Sequence, residues 1–237
     1  MSTTAGMLPP EVTGRGLAPD VSTWERRVAL FGSGVGLAVR MRFEQGMYSL
    51  THLNAHFQDV PLELTRLGRF LRANGVSVQS AVDVGCGDGA ITARLRDLLG
   101  LAAIAGVERN KRLADIARRR GVRVVEADME RMRSAVDYDL VVSYGSLHHS
   151  ANIEHCVRTL AGLSRGYVLV VDNTVRNTPL HRVTGSAWFP FELSPYRIRT
   201  REEIADVMRN GLRLVAIDTF RNANIWHDRS FFLARVE

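Results

Sequence analysis

The chain has 237 residues, of which 46% are hydrophobic and 24% are charged. This composition is typical of a soluble globular protein, and the length suits one α/β domain with a substantial core. The net charge of +6 would suit an acidic partner, but the arginines are spread along the chain rather than clustered with aromatic residues, which argues against a nucleic-acid surface. Cys86 and Cys156 form neither a metal-binding spacing nor a disulfide framework, and they fit a reducing cytoplasm.

The N-terminal part of the chain is expected to be a tail followed by helices. Residues 1–22 lack the basic and apolar regions of a secretory signal and are expected to be disordered. The apolar run Val28–Val39 is shorter than the roughly 20 residues of a membrane span, so no membrane segment is expected. Residues 23–58 are expected to be mostly helical. A clearer helix is predicted over Asp59–Asn74, with Gly75 after its last turn. Its apolar residues recur at helical spacing: Leu62, Leu64, Leu67, Phe70 and Leu71.

From Val78 onward, strand-like and helix-like segments alternate, which predicts a parallel sheet with helices on both faces. The predicted strands are Ser80–Val84, Ala102–Val107, Val122–Glu126, Tyr138–Ser143 and Tyr167–Val171. The predicted helices between them are Ala90–Leu99, Lys111–Arg119 and Ile153–Leu163. An irregular segment then leads to Thr200 and Glu203, which form the capping box of another helix. Two final strands are predicted over Leu212–Thr219 and Ser230–Val236.

The stretch AVDVGCGDGA, residues 81–90, is the strongest motif in the chain. A buried strand leads into Gly85, Gly87 and Gly89. Glycine allows positive φ angles and lets a ligand approach the backbone N–H groups at the start of a helix. A dinucleotide-binding turn has the spacing G-x-G-x-x-G and normally lacks an acid two residues before its first glycine. Asp83 occupies that position here and favours a ligand that carries an ammonium group.

Polar residues also follow the next three strands. Glu108 comes 23 positions after Gly85, near the spacing at which an acid reaches a ribose in a nucleotide-binding unit. Asp128 can accept a hydrogen bond from an exocyclic amine, although aspartate is also common in turns. His148 and His149 follow the fourth strand. A histidine there can take a proton from a substrate near neutral pH, or the pair can simply cap the helix and pack.

Taken together, these motifs resemble the class I S-adenosylmethionine (SAM)-dependent methyltransferases, whose first motif is D-x-G-x-G-x-G. The resemblance covers about residues 59–237. It implies an α/β fold with a doubly wound, mostly parallel seven-stranded sheet, a C-terminal antiparallel strand and an N-terminal helical lid. Residues 23–237 would form one domain with four parts: a helical lid (23–58), a SAM-binding core (59–171), a substrate-side insertion (172–199) and a C-terminal helix and strand pair (200–237).

The resemblance implies SAM as the cofactor, held by residues at the strand ends: Asp83, Gly85, Cys86, Gly87, Glu108, Arg109, Asp128, Met129, Ser143 and Tyr144. Glu108 would accept both ribose hydroxyls, and Arg109 would lie against the adenine. Asp128 and the backbone N–H of Met129 would bind the edge of that ring. The methyl group would point toward His148 and His149. Since consecutive residues point in different directions, at most one of these histidines would face the substrate.

The acceptor pocket is expected to be lined by residues of the lid and the insertion: Tyr48, His181, Trp188, Phe191, Tyr196 and Arg197. The alternative is that the aromatic residues only anchor the insertion to the sheet. Arg197 and Arg199 would pair with an acidic group on the substrate. Asp172 and Asn173 resemble the Mg²⁺-binding pair of catechol-type O-methyltransferases, but Ser143 and Tyr144 stand where those enzymes have a third ligand. No metal is therefore expected.

The predicted function is SAM-dependent methyl transfer to an oxygen or nitrogen of a small molecule, such as a secondary metabolite, with release of S-adenosylhomocysteine (SAH). A cytoplasmic enzyme is expected, with no nucleic-acid or membrane partner, and a homodimer is one option. The fourth strand is not followed by the N/D-P-P-Y/F/W motif of enzymes that methylate flipped bases, nor by the cysteine of the covalent cytosine mechanism. Two alternatives stay open, namely an RNA or protein methyltransferase and a non-catalytic SAM-binding subunit.

Overall fold

The computed structural model describes residues 60–132, 137–175, 198–220 and 228–237. The predicted tail and helical lid lie outside these residues. The helices are α1 (residues 60–73), α2 (Ala90–Leu99), α3 (Lys111–Arg119), α4 (Ile153–Gly162) and α5 (Arg201–Arg209). The strands are β1 (Ala81–Val84), β2 (Ala105–Glu108), β3 (Arg123–Glu126), β4 (Tyr138–Tyr144), β5 (Ser164–Val175), β6 (Arg199–Thr200), β7 (Arg213–Phe220) and β8 (Asp228–Arg235), with a 3₁₀ turn over Leu147–His149 after β4.

The strands form one sheet in the order β3-β2-β1-β4-β5-β8-β7, and the short β6 pairs with β5. Strands β1 to β5 pair in parallel, whereas β8 is antiparallel to both β5 and β7. The predicted sheet, mostly parallel with a C-terminal antiparallel strand, is confirmed. The strand order reverses between β1 and β4, so the crevice at their carboxyl ends is where an α/β sheet binds its ligand.

Hydrophobic side chains cover both faces of the sheet, as a doubly wound fold requires. On one face, α4 and α5 pack against the strands through Leu160 and Met208, while on the other face α1 and α2 pack through Leu67 and Leu95. Phe231 and Phe232 on β8 are both fully buried but belong to opposite faces. Because side chains alternate along a strand, this pair fixes the register of β8 in the middle of the sheet.

Strand β5 is longer than the sequence predicts at both of its ends. The apolar run ends at Val171, but the strand continues to Val175 because Asp172, Asn173 and Thr174 pair with the first residues of β8. The hydroxyl groups of Thr174 and Ser230 lie 2.7 Å apart. Polar residues that look like the start of a loop are therefore held in the sheet by their neighbour strand.

Helix α1 buries a face that differs from the predicted one at a single position. Val60, Leu64 and Leu67 are buried, but Leu62 is 62% exposed, so its expected place on the apolar face is wrong. Glu63 instead lies on the buried face and is only 2% exposed. No helix within the described ranges is long and apolar enough to cross a membrane.

The two ends of α2 allow a test of how closely the glycine turn packs. Gly89 before the helix and Gly100 after it have φ angles of 77° and 67°. A Cβ on Gly89 would lie 2.7 Å from the Cβ and 2.9 Å from the Cα of Ala117, whereas a Cβ on Gly100 would meet nothing within 4 Å. Gly100→Ala should lower the free energy of unfolding by about 1–2 kcal/mol through backbone strain alone. Gly89→Ala should lower it by roughly 2–5 kcal/mol, because overpacking adds to that strain.

Urea unfolding of the two variants measures this difference, since both carry the same substitution on the same helix. Equal losses would contradict close packing between α2 and α3 at this turn.

Candidate functional site

The glycine turn lies where three strand ends meet. The backbone N–H groups of Gly85 and Cys86 both donate to the carbonyl of Val107 at the end of β2. A Cβ on Gly85 would lie 2.5 Å from the Cβ of Ser146, beyond β4, and 3.3 Å from the Cε of Met129, beyond β3. Since Gly85 also has a φ of +84°, neither the backbone nor the surrounding space accepts a larger residue. This turn therefore joins the ends of β1, β2 and β4.

Cys86 turns its side chain away from the site and into the small cluster formed by Ala117 and Val122. Burial raises the pKa of its thiol, and the nearby charges of Asp83 and Glu108 raise it further. The thiol is therefore an apolar packing group rather than a nucleophile.

Asp83, on β1, is the buried acid of the turn and is 1% exposed. Its Oδ2 accepts a hydrogen bond of 2.6 Å from the hydroxyl of Thr92 on α2, and its Oδ1 has no hydrogen-bond partner in the described part of the chain. Burial raises the pKa of Asp83 to about 7, opposed by the Thr92 hydrogen bond and reinforced by the charge of Glu108. A buried carboxylate oxygen without a partner fits a ligand that brings a positively charged donor.

Glu108, at the end of β2, is almost completely buried. Its Oε2 accepts the N–H of Gly87 at 3.0 Å, and its Oε1 accepts the N–H of Asn110 at 2.7 Å. Burial raises the pKa of Glu108, while these two hydrogen bonds and the charge of Arg109 oppose the rise. Each carboxylate oxygen can accept a second hydrogen bond. The side chain is thus fixed by the glycine turn and retains the capacity to bind two hydroxyl groups.

The residues expected at the adenine lie beside Glu108. Arg109 is about half exposed, and its Nη1 lies 3.9 Å from Oδ2 of Asp128. Oδ1 of Asp128 accepts the N–H of Glu130 at 3.0 Å and holds the turn after β3. Met129 is partly buried against the core and close to Gly85. The structure therefore brings together the expected adenine and ribose residues at neighbouring strand ends.

The end of β4 sends two neighbouring side chains to different partners. The hydroxyl of Ser143 lies 2.6 Å from that of Ser146, which donates to the carbonyl of Val84 at 2.9 Å. Tyr144 instead donates its hydroxyl to Glu63 on α1. Burial raises the pKa of Tyr144 well above its ordinary value, as does the charge of Glu63. Ser146, which the sequence analysis did not select, links β4 to the glycine turn.

His148 lies in the 3₁₀ turn after β4 and is buried against Asp172 of β5. Asp172 accepts the backbone N–H of His148 at 2.9 Å, and its other oxygen pairs with the ring Nδ1. Burial alone would raise the pKa of Asp172, but the charge and hydrogen bond of His148, together with the charge of Arg229, hold it below its ordinary value. The ring of His149 is less buried and packs on that of His148 with centroids 4.2 Å apart.

A second buried group of charges lies at the carboxyl edge of the sheet. The Nε of Arg229, on β8, lies 3.1 Å from Oε1 of Glu63, and its guanidinium carbon lies 5.5 Å from the centre of the Tyr144 ring. Burial would lower the pKa of Arg229, but the charges of Glu63, Tyr144 and Asp172 raise it overall. Sequence reasoning missed both Glu63 and Arg229. A signal existed for Glu63, which stands on the apolar stripe of a helix, but no local pattern marks Arg229.

The residues expected to bind the acceptor lie outside the described residues: Tyr48, His181, Trp188, Phe191, Tyr196 and Arg197. Their role stays a prediction. Among the residues that the structure describes, no group of three or more histidine, cysteine, aspartate or glutamate side chains has an arrangement that would hold a metal ion. The carboxylate of Asp172 is directed at His148.

Residues 81–166 match the family described as methyltransferase domain. This segment runs from β1 into β5 and contains the glycine turn, Glu108, Asp128 and both histidines. A comparison with curated protein sequences finds no match.

Solved structures share the fold at low sequence identity. A protein described as a methyltransferase, from Bacillus halodurans, is 14% identical with a TM-score of 0.61, over 72% of this chain and 98% of that one. The N-methyltransferase NodS from Bradyrhizobium japonicum is 14% identical with a TM-score of 0.58, over 76% and 99%. Magnesium protoporphyrin IX methyltransferase from Synechocystis, with bound SAH, is 14% identical with a TM-score of 0.57, over 74% and 82%. The methyltransferase-domain match over residues 81–166, the sheet topology and the first-strand motif together support a class I SAM-dependent methyltransferase, an enzyme that uses SAM as cofactor.

Proposed function

We propose that this enzyme transfers the methyl group of SAM to an oxygen or nitrogen of a small molecule, with His148 as the general base. The observation that carries this proposal is the buried pair of His148 and Asp172 beside the glycine turn. A base is needed where the nucleophile begins with a proton, as hydroxyl and ammonium groups do near neutral pH.

The cofactor would be held by the residues at the ends of β1, β2 and β3. Asp83 would pair with the ammonium group through the oxygen that has no protein partner. Glu108 would accept the ribose hydroxyls, with Arg109, Asp128 and Met129 around the adenine. Bound SAM supplies an electrophilic methyl group on a positively charged sulfonium.

The chain's own contribution to the reaction would be positioning and proton removal. Gly85 and Ser146 bring the turn after β4 against the glycine turn, and His148 would then stand close to the place where donor and acceptor meet. With Nδ1 directed at Asp172, Nε2 of His148 would take the proton as the new bond to the methyl group forms. SAH and the methylated acceptor then leave, and the proton passes to water.

The proposals about the methyl acceptor come from the sequence alone. We propose that the acceptor carries an acidic group that pairs with Arg197. We also propose that it is a secondary metabolite. Magnesium protoporphyrin IX methyltransferase, among the structures of the same fold, is named for a small-molecule substrate. A cytoplasmic location and a homodimer stay predictions.

The role of His148 can be separated from that of His149 by kinetics. Wild type, His148→Gln and His149→Gln are incubated with SAM labelled in its methyl group and a panel of phenols, carboxylic acids and amines. His148→Gln should lower kcat by about 10²-fold or more, the size of a lost general base, and leave the Kd of SAM within about twofold. His149→Gln should lower kcat by less than about tenfold, because its ring packs on that of His148 and is not paired with Asp172 as His148 is. Near-normal kcat in both variants at all pH values would contradict a histidine base.

Asp83→Asn should raise stability and lower affinity for SAM at the same time. A raised pKa means that the folded protein favours the protonated form of Asp83. Protonated Asp83 stabilises the folded protein fully below about pH 4, and this stabilisation is lost as the pH rises through about 7. The neutral amide removes this loss, so the variant should gain roughly 2–4 kcal/mol over wild type at pH 8 and little at pH 4. SAM binding should weaken, because an amide cannot pair with an ammonium as a charge.

Thermal unfolding at the two pH values and calorimetry with SAM test both effects. Asp97→Asn, at an exposed acid on α2, serves as control and should change neither. An unchanged SAM affinity in Asp83→Asn would contradict the ammonium assignment.

Glu108→Gln should weaken SAM binding by roughly 1.5 kcal/mol, or about tenfold, as expected when a hydrogen bond loses its charged partner. The amide keeps the shape of the side chain and one acceptor for the glycine turn. Glu126→Gln removes an acid from the end of the adjacent strand, where it pairs with Arg118 on the surface, and should leave the affinity unchanged. Equal affinities for all three proteins would place the ribose acid elsewhere.

A further inference from the structure

Two buried side-chain atoms of opposite charge lack a hydrogen-bond partner within the described residues. They are Oδ1 of Asp83 and Nε of Arg229, and the two residues are 1% and 3% exposed. A buried polar atom is costly to leave without a partner. If the first of these atoms meets the ammonium group of SAM, the second calls for a negatively charged group.

Arg229 lies on the same face of the sheet as Asp83. Phe231, two residues further along β8, packs on the face that α1 and α2 cover, and residues i and i+2 of a strand share a face. Asp83 is on that face too, because its carboxylate accepts the hydroxyl of Thr92 on α2. The two unpaired atoms are therefore on one side of the sheet and at one edge of it.

The pair of His148 and Asp172 lies on the other side. Val170, two residues before Asp172 on β5, packs on the face that α4 and α5 cover, and the alternation of side chains places Asp172 on that face as well. The guanidinium of Arg229 is thus separated by the sheet from the proposed base, and it needs an explanation of its own.

The side chain of Arg229 is directed along the edge of the sheet toward Asp83. Arg229 begins on β8, but its guanidinium carbon lies 5.5 Å from the centre of the Tyr144 ring on β4. It therefore crosses β5, and β4 in turn pairs with β1, the strand of Asp83. Nη1 reaches the turn after β4, where a Cβ on Gly145 would lie 3.6 Å from it. Since neighbouring strands are about 4.8 Å apart, one ligand group at the ends of β1 and β4 can contact both side chains.

The described protein holds the guanidinium at one side. Oε1 of Glu63 lies 3.1 Å from Nε, and Glu63 also accepts the hydroxyl of Tyr144. The ring of Tyr144 lies against the guanidinium. Neither of these two contacts uses Nη1 or Nη2 as a hydrogen-bond donor. A guanidinium has five N–H donors, and a pair of them matches the two oxygens of a carboxylate.

We propose that Arg229 binds the carboxylate of a ligand through Nη1 and Nη2. SAM is the first source of such a group, because its methionine carries a carboxylate on the same carbon as the ammonium group, and the shared face with Asp83 favours it. The acidic group proposed for the acceptor is the second source. The inference rests on the proposed place of the ammonium group at Asp83.

The competing explanation for Arg229 is a structural brace between α1 and β8. Buried ion pairs add little net stability compared with apolar packing, so a brace alone gives no reason for charged residues here. A brace also has no preference between ligands with and without a carboxylate, and binding measurements with such ligands separate the two explanations.

Calorimetry with SAH and its decarboxylated analogue, in which hydrogen replaces the carboxylate, tests the first source. Wild type should bind SAH roughly 10- to 100-fold more tightly than the analogue, the size of a hydrogen bond between charged groups. Arg229→Met should weaken SAH binding by the same factor and leave the Kd of the analogue within about twofold. Equal losses for both ligands in Arg229→Met, as a brace predicts, overturn the proposal.

Kinetics with the panel of carboxylic acids, phenols and amines test the second source. If Arg229→Met and wild type bind SAH alike, the KM for carboxylic acids should rise at least about tenfold in the variant, while the KM for phenols and amines stays unchanged. Unchanged SAH affinity overturns the proposal when it is accompanied by unchanged KM values, or by a wild type that methylates no carboxylic acid.

Arg235→Met is the matched control. Arg235, at the other end of β8, lies over the ring of Tyr167 at 5.5 Å, the same distance as that between Arg229 and Tyr144. It is exposed and at the opposite edge of the sheet, so its substitution should change neither Kd nor KM. If Arg229→Met does not fold, wild type still decides, because equal affinity for SAH and the decarboxylated analogue, together with no preference for acidic acceptors, overturns the proposal.

The proposed function fails by different measurements. Deaminated SAH, in which hydrogen replaces the amino group, reports on Asp83 alone. If Asp83→Asn still prefers SAH over this analogue as strongly as wild type does, the ammonium assignment fails, while the effect of Arg229→Met on the decarboxylated analogue is read independently. The kcat of His148→Gln likewise reports on the base and not on Arg229.

Discussion

The burial of carboxylates at the carboxyl ends of the parallel strands is the constraint on which the rest of this site depends. An acid in this position is either neutralised or matched by a nearby positive group. At Asp83 the described protein supplies a hydroxyl and a second carboxylate, and burial raises the pKa to about 7. At Asp172 it supplies His148 and Arg229, and the pKa lies below its ordinary value. Two similar residues on nearby strands thus have opposite electrostatic states.

This contrast assigns the two acids to different partners. Asp83 has an oxygen without a protein partner, and a cationic ligand would complete its surroundings. Asp172 is already surrounded by protein groups, among them the ring and the backbone N–H of His148. A ligand would therefore complete the surroundings of Asp83, whereas the protein itself completes those of Asp172.

The sequence predicts the first half of this arrangement much better than the second. Asp83, the glycines and Glu108 follow buried strands within a single alternating pattern, so local spacing is enough to place them at one sheet edge. Glu63 and Tyr144 are 81 positions apart, and only the tertiary structure brings them together. Periodicity misplaced Leu62 for the same reason, because the face of α1 that the sheet buries includes a charged residue. The end of β5 was also missed, since its polar residues owe their strand conformation to pairing with β8.

The antiparallel direction of β8 explains how Arg229 reaches the carboxyl edge of the sheet. A parallel strand at this position would bring its last residues to the carboxyl edge of the sheet, as β1, β4 and β5 do. Because β8 runs the other way, its first residues lie at the carboxyl edge, where Arg229 pairs with Asn173. Its last residues lie at the opposite edge, where Arg235 pairs with Tyr167. The two fully buried phenylalanines in the middle of the strand prevent a slip of one residue, which would exchange the faces of the sheet. The apolar core therefore sets the position of a charge that lies at the edge of that core.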